Sequence, residues 1–277
     1  MYIHDLNPVL LPIWGPLAIR WYGLAYVGGF IGAYFILNRW GKRGNYPLSG
    51  EALQNFMIAI VVGVMLGGRI GFTFFYDFPQ FLRDPVSIFR LWEGGMSSHG
   101  GMIGMTLATL YMSLKLKAPL LQLTDGLAAV APLGLGLGRL ANFVNGELWG
   151  RVTNVPWAVV FPQEAGIQRG DPDAPALIEA YLAQGYLHPR HPSQLYQAAL
   201  EGVFLLTVLL LARRTRWAAA VPGRISGLFL ILYAIVRVIA ERFREPEIVH
   251  LGWLTQGQLL SLLILLPVGV VLVKRAK

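Results

Sequence analysis

The sequence of 277 residues contains no cysteine. This absence excludes a disulfide framework, a thiolate metal site and a cysteine nucleophile. If the chemistry of this protein needs a thiol, the substrate must therefore supply it.

Charged residues are also scarce, at 14% of the chain, whereas hydrophobic residues make up 55%. Soluble domains carry about 25% charged residues, so the composition indicates a membrane protein. The net charge of +8 is then explained by the position of basic residues in loops and not by a nucleic-acid-binding surface. The N-terminal segment lacks a basic region and a small-residue cleavage site, so we expect mature sequence and no signal peptide.

Seven apolar segments approach the length of about 20 residues that a helix needs to cross a bilayer. They are continuous and show no alternation of polar and apolar residues, so we expect helices and not barrel strands. The segments cover residues 21–37, 56–75, 100–116, 120–143, 196–211, 225–240 and 259–273. We therefore predict an all-α integral membrane protein, a single polytopic domain over residues 1–277 with about seven transmembrane helices.

The basic residues of the short connections predict the orientation of this bundle, because such residues collect in cytoplasmic loops. One set of connections, together with the C-terminal tail, holds twelve of the 23 Lys and Arg residues. The opposite loops are longer and mix acidic with basic residues. We therefore expect a cytoplasmic C-terminus, and an odd number of spans then places the N-terminus outside. The twelve are Arg39, Lys42, Arg43, Lys115, Lys117, Arg213, Arg214, Arg216, Arg224, Lys274, Arg275 and Lys277.

The segment 146–192, between the fourth and fifth predicted spans, is too long for a simple connection. It contains the strand-like sequence WAVVFP and the helix-like sequence APALIEAYLAQ. We predict that it forms a small external subdomain with both helix and strand.

Ionisable side chains inside the spans indicate a functional site, because they are costly in lipid. At a rise of about 1.5 Å per residue, Arg69, Arg139 and Arg237 lie roughly 20 to 28 Å from the cytoplasmic entry of their spans. His99 and Tyr22 lie at the external ends of two further spans. Because arginine binds phosphate in a bidentate manner, we predict a lipid-headgroup site in the outer leaflet.

Two helical faces surround these arginines with hydrogen-bonding groups, since residues three or four apart lie side by side. The faces consist of Arg139, Asn142 and Asn145, and of Tyr233, Arg237 and Glu241. A structural interpretation stays open beside the functional one. Ion pairs of Arg237 with Glu241 and of Arg139 with Glu147 would hold helices together, Glu201 or Asp125 would be the partner of Arg69, and His191 would be structural.

Several longer motifs are similar to those of one known family. They are RWYGL (20–24), SSHGGMIG (97–104), GLGRLANFVNGELWGR (136–151), RHPSQLY (190–196) and YAIVRVIAERFREP (233–246). The sequence resembles prolipoprotein diacylglyceryl transferases, which are bacterial integral membrane enzymes of lipoprotein maturation. The similarity extends through all seven predicted spans, and the GRLANF block is long and specific.

The resemblance implies a reaction and a location. Family members transfer the diacylglyceryl group of phosphatidylglycerol to the lipobox cysteine thiol in the signal peptide of a preprolipoprotein, and they release glycerol 1-phosphate. They use no metal or organic cofactor. A multi-pass protein of the inner membrane is implied, with membrane lipid and signal peptide as partners, no nucleic acid, a monomeric state and an active site on the periplasmic side.

The resemblance also implies a set of site residues. The catalytic group comprises His99, Arg139, Arg237, Tyr22, Tyr233 and Glu241. The residues that bind phosphatidylglycerol are Arg139, Asn142, Asn145, Glu147, Gly150, Arg237, Gly100 and Gly101. A substrate thiol reacts as a thiolate, so we expect His99 to accept its proton, either directly or through a hydrogen-bonded partner; an orienting role of His99 stays open. Arg139 and Arg237 are expected to stabilise the phosphate that leaves.

Three other function classes remain as alternatives. A multipass anion or lipid transporter would use the same intramembrane arginines, although the charges gather at one face of the membrane and no inverted repeat is evident. A phosphotransferase would need a carboxylate–metal cluster, for which the sequence has no ligand spacing. A non-catalytic scaffold is the third alternative, and only the helical bundle itself supports it.

Overall fold

The computed structural model describes residues 2–14, 17–90, 94–167, 171–246, 249–250 and 254–275. Lys277 of the predicted cytoplasmic tail and residues 168–170 of the predicted subdomain therefore lie outside the described residues. The chain divides into two compact units. The first unit consists of Met1–Ile31 and Ala128–Lys277, and the second of Gly32–Leu127.

Most of the described chain is helical, and three short sheets accompany the helices. In chain order the elements are β1 (Tyr2–Ile3), β2 (Val9–Trp14), β3 (Leu17–Arg20), α1 (Trp21–Lys42), α2 (Gly50–Phe75), α3 (Phe78–Arg83), α4 (Ser98–Leu116), α5 (Leu120–Asn145), β4 (Val159–Val160), α6 (Ala174–Ala183), β5 (Pro189–Arg190), α7 (Ser193–Gln197), α8 (Leu205–Ala212), α9 (Arg216–Ala220), α10 (Arg224–Ala240), β6 (Val249–His250), β7 (Leu254–Thr255), α11 (Gln256–Leu260) and α12 (Leu266–Lys274).

Two of the helices contain π-helical segments, and short 3-10 helices occur in the connections. The segment Ala198–Phe204 joins α7 to α8 without a break, and Ser261–Leu265 joins α11 to α12 in the same way. The 3-10 helices are Pro85–Phe89 and Pro162–Ala165.

Within the residues that the structure describes, four helices are long and apolar enough to cross a membrane. They are Gly50–Phe75, Leu120–Asn145, Ser193–Ala212 and Gly257–Lys274, and each coincides with a predicted span. The chain is therefore a helical membrane protein. The other three predicted spans coincide with α1, α4 and α10, which are helical as well; the count of seven membrane crossings stays a prediction.

The purely α-helical prediction is incomplete, because the N-terminal residues form strands. Strand β1 pairs in parallel with β4, and β4 pairs antiparallel with β5. Strands β2 and β3 form an antiparallel hairpin directly before α1. The first residues of the chain thus complete the small sheet that contains the predicted strand WAVVFP.

The segment 146–192 contains the predicted strand and helix, β4 and α6. A small apolar core of Val160, Ile167 and Leu187 holds them together, and Leu177 and Tyr181 pack against this core. Its status as a separate subdomain stays a prediction.

In the second unit, glycines allow close packing of α2 against α4. A Cβ atom at Gly63 would lie 2.6 Å from the carbonyl oxygen of Gly104, and one at Gly71 would lie 2.9 Å from the Cα of Gly100. The small-residue spacing that the sequence shows in these two spans therefore serves helix packing.

Arg69 has a structural role within this second unit. Its guanidinium group donates to the backbone carbonyls of Ile88 (2.9 Å), Gly94 (2.6 Å), Gly95 (3.2 Å) and Ser87. The inclusion of Arg69 among the headgroup-binding arginines is therefore wrong, because these carbonyls occupy its donors. Two of the acceptors lie in the 3-10 helix Pro85–Phe89 and two just before α4, and the arginine holds both against α2.

Candidate active site

Two arginines of the first unit share one buried carboxylate. The Nε of Arg139 on α5 donates to Oε2 of Glu201 at 2.9 Å, and Nη1 of Arg237 on α10 donates to Oε1 at 3.3 Å. The Glu201 side chain is 0% exposed, whereas those of Arg139 and Arg237 are 15% and 13% exposed. The expectation that Glu201 pairs with Arg69 is therefore wrong, because Glu201 bridges the two arginines that are predicted to bind phosphate.

Close backbone contact between two helices brings Glu201 to Arg139. A Cβ atom at Gly136 would lie 2.9 Å from the Cα of Gly202, so the two helices touch without side chains between them. Glu201 belongs to the π-helical segment, and π-helical turns are frequent at functional sites. The glycines place the neighbouring carboxylate and guanidinium at hydrogen-bonding distance.

The charged contacts continue from Arg237 towards the end of α10. Nη2 of Arg237 lies 2.6 Å from Oε1 of Glu241, as the i,i+4 spacing predicted, and Nη1 of Arg244 lies 3.9 Å from the same oxygen. The cluster of Arg139, Glu201, Arg237, Glu241 and Arg244 contains three cations and two anions. The two carboxylates thus bring the three guanidinium groups close together.

Gly257 on α11 packs directly on the pair of Arg237 and Glu241. A Cβ atom at this position would lie 3.1 Å from Nε of Arg237 and 3.1 Å from Oε1 of Glu241. Nothing in the sequence around Gly257 pointed to this contact. It limits the space around the ion pair and so fixes its geometry.

The two predicted tyrosines belong to the same unit as the arginines. Tyr233 lies one turn before Arg237 on α10, within interaction range of Glu201 and of both guanidinium groups, and its ring stacks on Phe229 with centroids 5.7 Å apart. Tyr22 lies in the first turn of α1, and its ring is 5.2 Å from that of Tyr26.

The polar residues after Arg139 bind one another. Oε1 of Glu147 accepts hydrogen bonds from Nδ2 of Asn142 at 2.8 Å and from Nδ2 of Asn145 at 3.1 Å. The carbonyl of Glu147 accepts from Nε2 of Gln194 at 2.7 Å, which links this loop to α7. The prediction of a structural ion pair between Arg139 and Glu147 is therefore wrong, because Arg139 binds Glu201 and Glu147 binds the two asparagines.

Gly150 is required by the close approach of two other segments. A Cβ atom there would lie 2.5 Å from the carbonyl oxygen of Phe243 and would contact the carbonyl of His191 even more closely. The Gly150 N–H already donates to the carbonyl of His191 at 3.0 Å. This glycine is explained by packing, and its role as a direct lipid contact stays a prediction.

His99, Gly100 and Gly101 lie in the first turn of α4, in the second unit. The Oγ of Ser97 caps this helix by accepting from the Gly100 N–H at 3.2 Å. His99 is exposed, and Gly100 is buried against α2. Packing accounts for Gly100, and the proton-accepting role of His99 stays a prediction.

His191 and Arg190 lie just before α7, outside the apolar spans. Nδ1 of His191 is 3.2 Å from the hydroxyl of Tyr196, which also accepts from Nε1 of Trp157 at 2.7 Å. Burial lowers the pKa of His191. A bidentate contact with Glu164 raises the pKa of Arg190. Both residues hold segments of the chain together, in agreement with the structural interpretation of His191.

Comparison with known proteins identifies the family. A family model described as prolipoprotein diacylglyceryl transferase matches residues 8–274. The chain belongs to this family.

Curated relatives agree with the family match over almost the whole chain. The phosphatidylglycerol–prolipoprotein diacylglyceryl transferase of Rhizobium meliloti (strain 1021) is 43% identical over 284 residues, which cover 99% of this chain and 93% of the relative. The enzyme of the same name from Idiomarina loihiensis is 42% identical, with 98% and 94% covered. That of Escherichia coli O1:K1 is 43% identical, with 94% and 91% covered. In this chain Arg139 and Arg237, the two arginines predicted to bind phosphate, are joined through Glu201.

Proposed function

We propose that this chain transfers the diacylglyceryl group of phosphatidylglycerol to the lipobox cysteine thiol of a preprolipoprotein. One observation carries the proposal: the largely buried guanidinium groups of Arg139 and Arg237 both bind the buried carboxylate of Glu201. Arginine is well suited to bind phosphate, so two guanidinium groups close together suit the phosphodiester of a phosphatidylglycerol headgroup. Family membership and the names of the relatives support the same reaction.

In the proposed reaction the thiolate sulfur attacks the glyceryl carbon that carries the phosphate ester. A carbon–sulfur bond forms, the carbon–oxygen bond to phosphate breaks, and glycerol 1-phosphate leaves with the electron pair. The leaving phosphate gains negative charge, and fixed cations aimed at such charge stabilise the transition state. Arg139 and Arg237 supply these cations, and Glu201 keeps them from repelling each other.

The substrate thiol must lose its proton before or during the attack. A thiol has a pKa near 8.5, so a base that works near neutral pH accelerates the reaction. His99 is the proposed base, because histidine is the side chain that most often acts as a general base and the residue is exposed at the start of α4. Tyr22, Tyr233 and Glu241 are proposed to orient the headgroup or the guanidinium groups.

The proposed setting is the bacterial inner membrane. We propose seven crossings, a periplasmic N-terminus, a cytoplasmic C-terminus and an active site on the periplasmic side, with segment 146–192 as a periplasmic subdomain. The distribution of basic residues in the loops supports this orientation. The protein is proposed to act as a monomer without metal or organic cofactor.

A transfer assay with purified protein tests the function. Phosphatidylglycerol and a lipobox peptide are added in detergent, and glycerol phosphate release is followed together with the peptide mass. We expect a mass gain of one diacylglyceryl unit, absent with a peptide whose cysteine is replaced by serine. Arg139→Ala should lose far more activity than Arg139→Lys, since lysine keeps the charge. Release of glycerol phosphate without peptide modification would indicate a lipase, and bound lipid without turnover would favour the transporter.

A further inference from the structure

The three helices that carry Arg139, Glu201 and Arg237 are joined just beyond their polar ends. Residues 149–151 follow α5, residues 243–245 follow α10, and residues 190–191 lead into α7. These three short segments, which we call the junction, pair with one another through their backbones. The residues of each segment are six to twelve positions along the chain from the charged residue on its own helix.

The middle segment of the junction is 149–151. On one side, the Gly150 N–H donates to the carbonyl of His191 at 3.0 Å, and the His191 N–H donates to the carbonyl of Arg151 at 3.0 Å. On the other side, the Arg151 N–H donates to the carbonyl of Phe243 at 2.9 Å, and the Glu245 N–H donates to the carbonyl of residue 149 at 3.2 Å. The arrangement resembles a small sheet with Gly150 at its centre.

The side chain of Arg190 ties all three segments together. Its Nη1 donates to the carbonyl of Gly150 at 3.0 Å and to Oε2 of Glu245 at 2.9 Å. Its Nε donates to Oε2 of Glu164 at 2.5 Å, and its Nη2 binds the other oxygen of the same carboxylate. The side chain is only 10% exposed. One guanidinium therefore contacts the segments after α5 and α10 from the segment that begins α7.

We propose that Arg190 is a positioning residue for the diacylglyceryl transfer, acting on the reaction through the spacing of the Arg139–Glu201–Arg237 contacts. This inference rests on the function proposed above. Glu201 reaches Arg237 over 3.3 Å and Arg139 over 2.9 Å, so an axial shift of one helix by about 1 Å breaks one of the two contacts, and misplacements of this size cost enzymes about 100-fold in rate. Arg190 holds the three helices against such shifts.

A guanidinium is needed for this task because of its geometry. Arginine offers five donors in a planar fork, whereas the lysine ammonium is a compact group on a flexible chain. A lysine at position 190 keeps the charge and can reach Glu164 or Gly150, but it cannot hold both in the observed directions. The conservative replacement is therefore expected to rescue the function only in part.

Steady-state kinetics of the purified full chain, with phosphatidylglycerol and a lipobox peptide, test the proposal. We expect Arg190→Ala to lower kcat by at least about tenfold, in line with the sensitivity of catalysis to misplacement, with KM for the lipid less affected. The kcat of Arg190→Lys should lie between that of the parent chain and that of Arg190→Ala. The matched control is Leu177→Ala, which removes apolar packing from the same segment 146–192 without touching the junction; it should lower stability and leave kcat unchanged.

A distance measurement separates positioning from loss of folding. Because the chain has no cysteine, spin labels can be attached at introduced cysteines alone. Leu140 on α5 and Ile239 on α10 are exposed positions near the ends of the two arginine helices. In Leu140→Cys/Ile239→Cys protein we expect a narrow distance distribution, which Arg190→Ala broadens or shifts and Leu177→Ala does not.

The outcomes divide clearly. A fall in kcat together with a changed distance distribution supports the positioning role. Wild-type kcat in Arg190→Ala, or a lower kcat with an unchanged distance distribution, overturns it. Should Arg190→Ala not fold, Arg190→Lys and Glu245→Gln are measured instead, and unchanged kcat in both overturns the proposal. If the parent chain transfers no diacylglyceryl group, the proposed function fails, and the distance measurement still tests the junction.

Discussion

Replacing Glu201 by glutamine tests the site most directly, because it removes one negative charge and keeps the shape of the side chain. In the protein, Glu201 is fully buried and binds both arginines. The glutamine oxygen can still accept from one guanidinium, but its amide group faces the other. The two cations then lie close together without the anion that both of them bind in the parent protein.

The magnitude follows from the two lost charge-assisted contacts. Hydrogen bonds to charged groups contribute about 1.5–3 kcal/mol each, and the glutamine keeps a weaker version of one, so we expect a loss of about 2–4 kcal/mol of stability. If a similar amount is lost in the transition state, kcat falls by about 30- to 1000-fold, since 1.36 kcal/mol corresponds to a factor of ten.

Thermal unfolding in detergent and transfer kinetics would measure both effects. Glu179→Gln, the same substitution at an exposed position of α6, is the matched control and should change neither quantity. Wild-type kcat and wild-type Tm in Glu201→Gln would refute the reasoning, because a bridge between two required cations cannot be lost without consequence. A lower Tm with wild-type kcat would make the bridge purely structural.

Three further predictions concern other residues. Arg69→Met should lower the Tm without changing the KM for lipid, because Arg69 binds backbone carbonyls; a selective rise in KM would contradict this structural role. Gly150→Ala should abolish transfer and lower the Tm through overlap with neighbouring carbonyls, whereas Gly134→Ala, where the added atom meets open space, should leave activity unchanged. Burial lowers the pKa of His191. Its contribution to stability is therefore present above about pH 6.5 and is lost as the pH falls through the lowered pKa. His191→Gln should flatten the decrease of Tm between pH 7 and pH 5, and an unchanged slope would argue against this contribution of His191.

The sequence predicted the two arginines of the candidate site but not the residue that joins them. Regular spacing predicted the contact of Arg237 with Glu241, since both lie on one helix face. The bridge through Glu201 depends on the approach of two helices at Gly136 and Gly202, and spacing along a single helix carries no information about such an approach.

For Arg69 the sequence prediction failed in the opposite way, because it included a residue that the structure excludes from the candidate site. Its depth in the second span matched that of the other arginines, but backbone carbonyls before α4 bind it. Carbonyl groups are present at every residue, so no side-chain pattern reveals which of them an arginine will find. The strand β1 was missed for a related reason, because a pairing of two residues is too short to leave a periodic signal.

Gly150 illustrates the difference between finding a residue and explaining it. The motif marked the glycine as part of the site. The structure accounts for it by the close approach of the carbonyls of His191 and Phe243, which belong to segments far apart in the chain. Such a contact between distant segments is not encoded in the local sequence around the glycine.

The parallel pairing of β1 with β4 has a consequence for the synthesis of the protein. Tyr2 and Ile3 lie opposite Val159 and Val160, so the partner strand leaves the ribosome only after α1, α2, α4 and α5 have been made. The first strand has to stay unpaired during this time. A fusion partner at the N-terminus would be attached directly beside this late-forming sheet, whereas a tag after α12 would leave the sheet undisturbed.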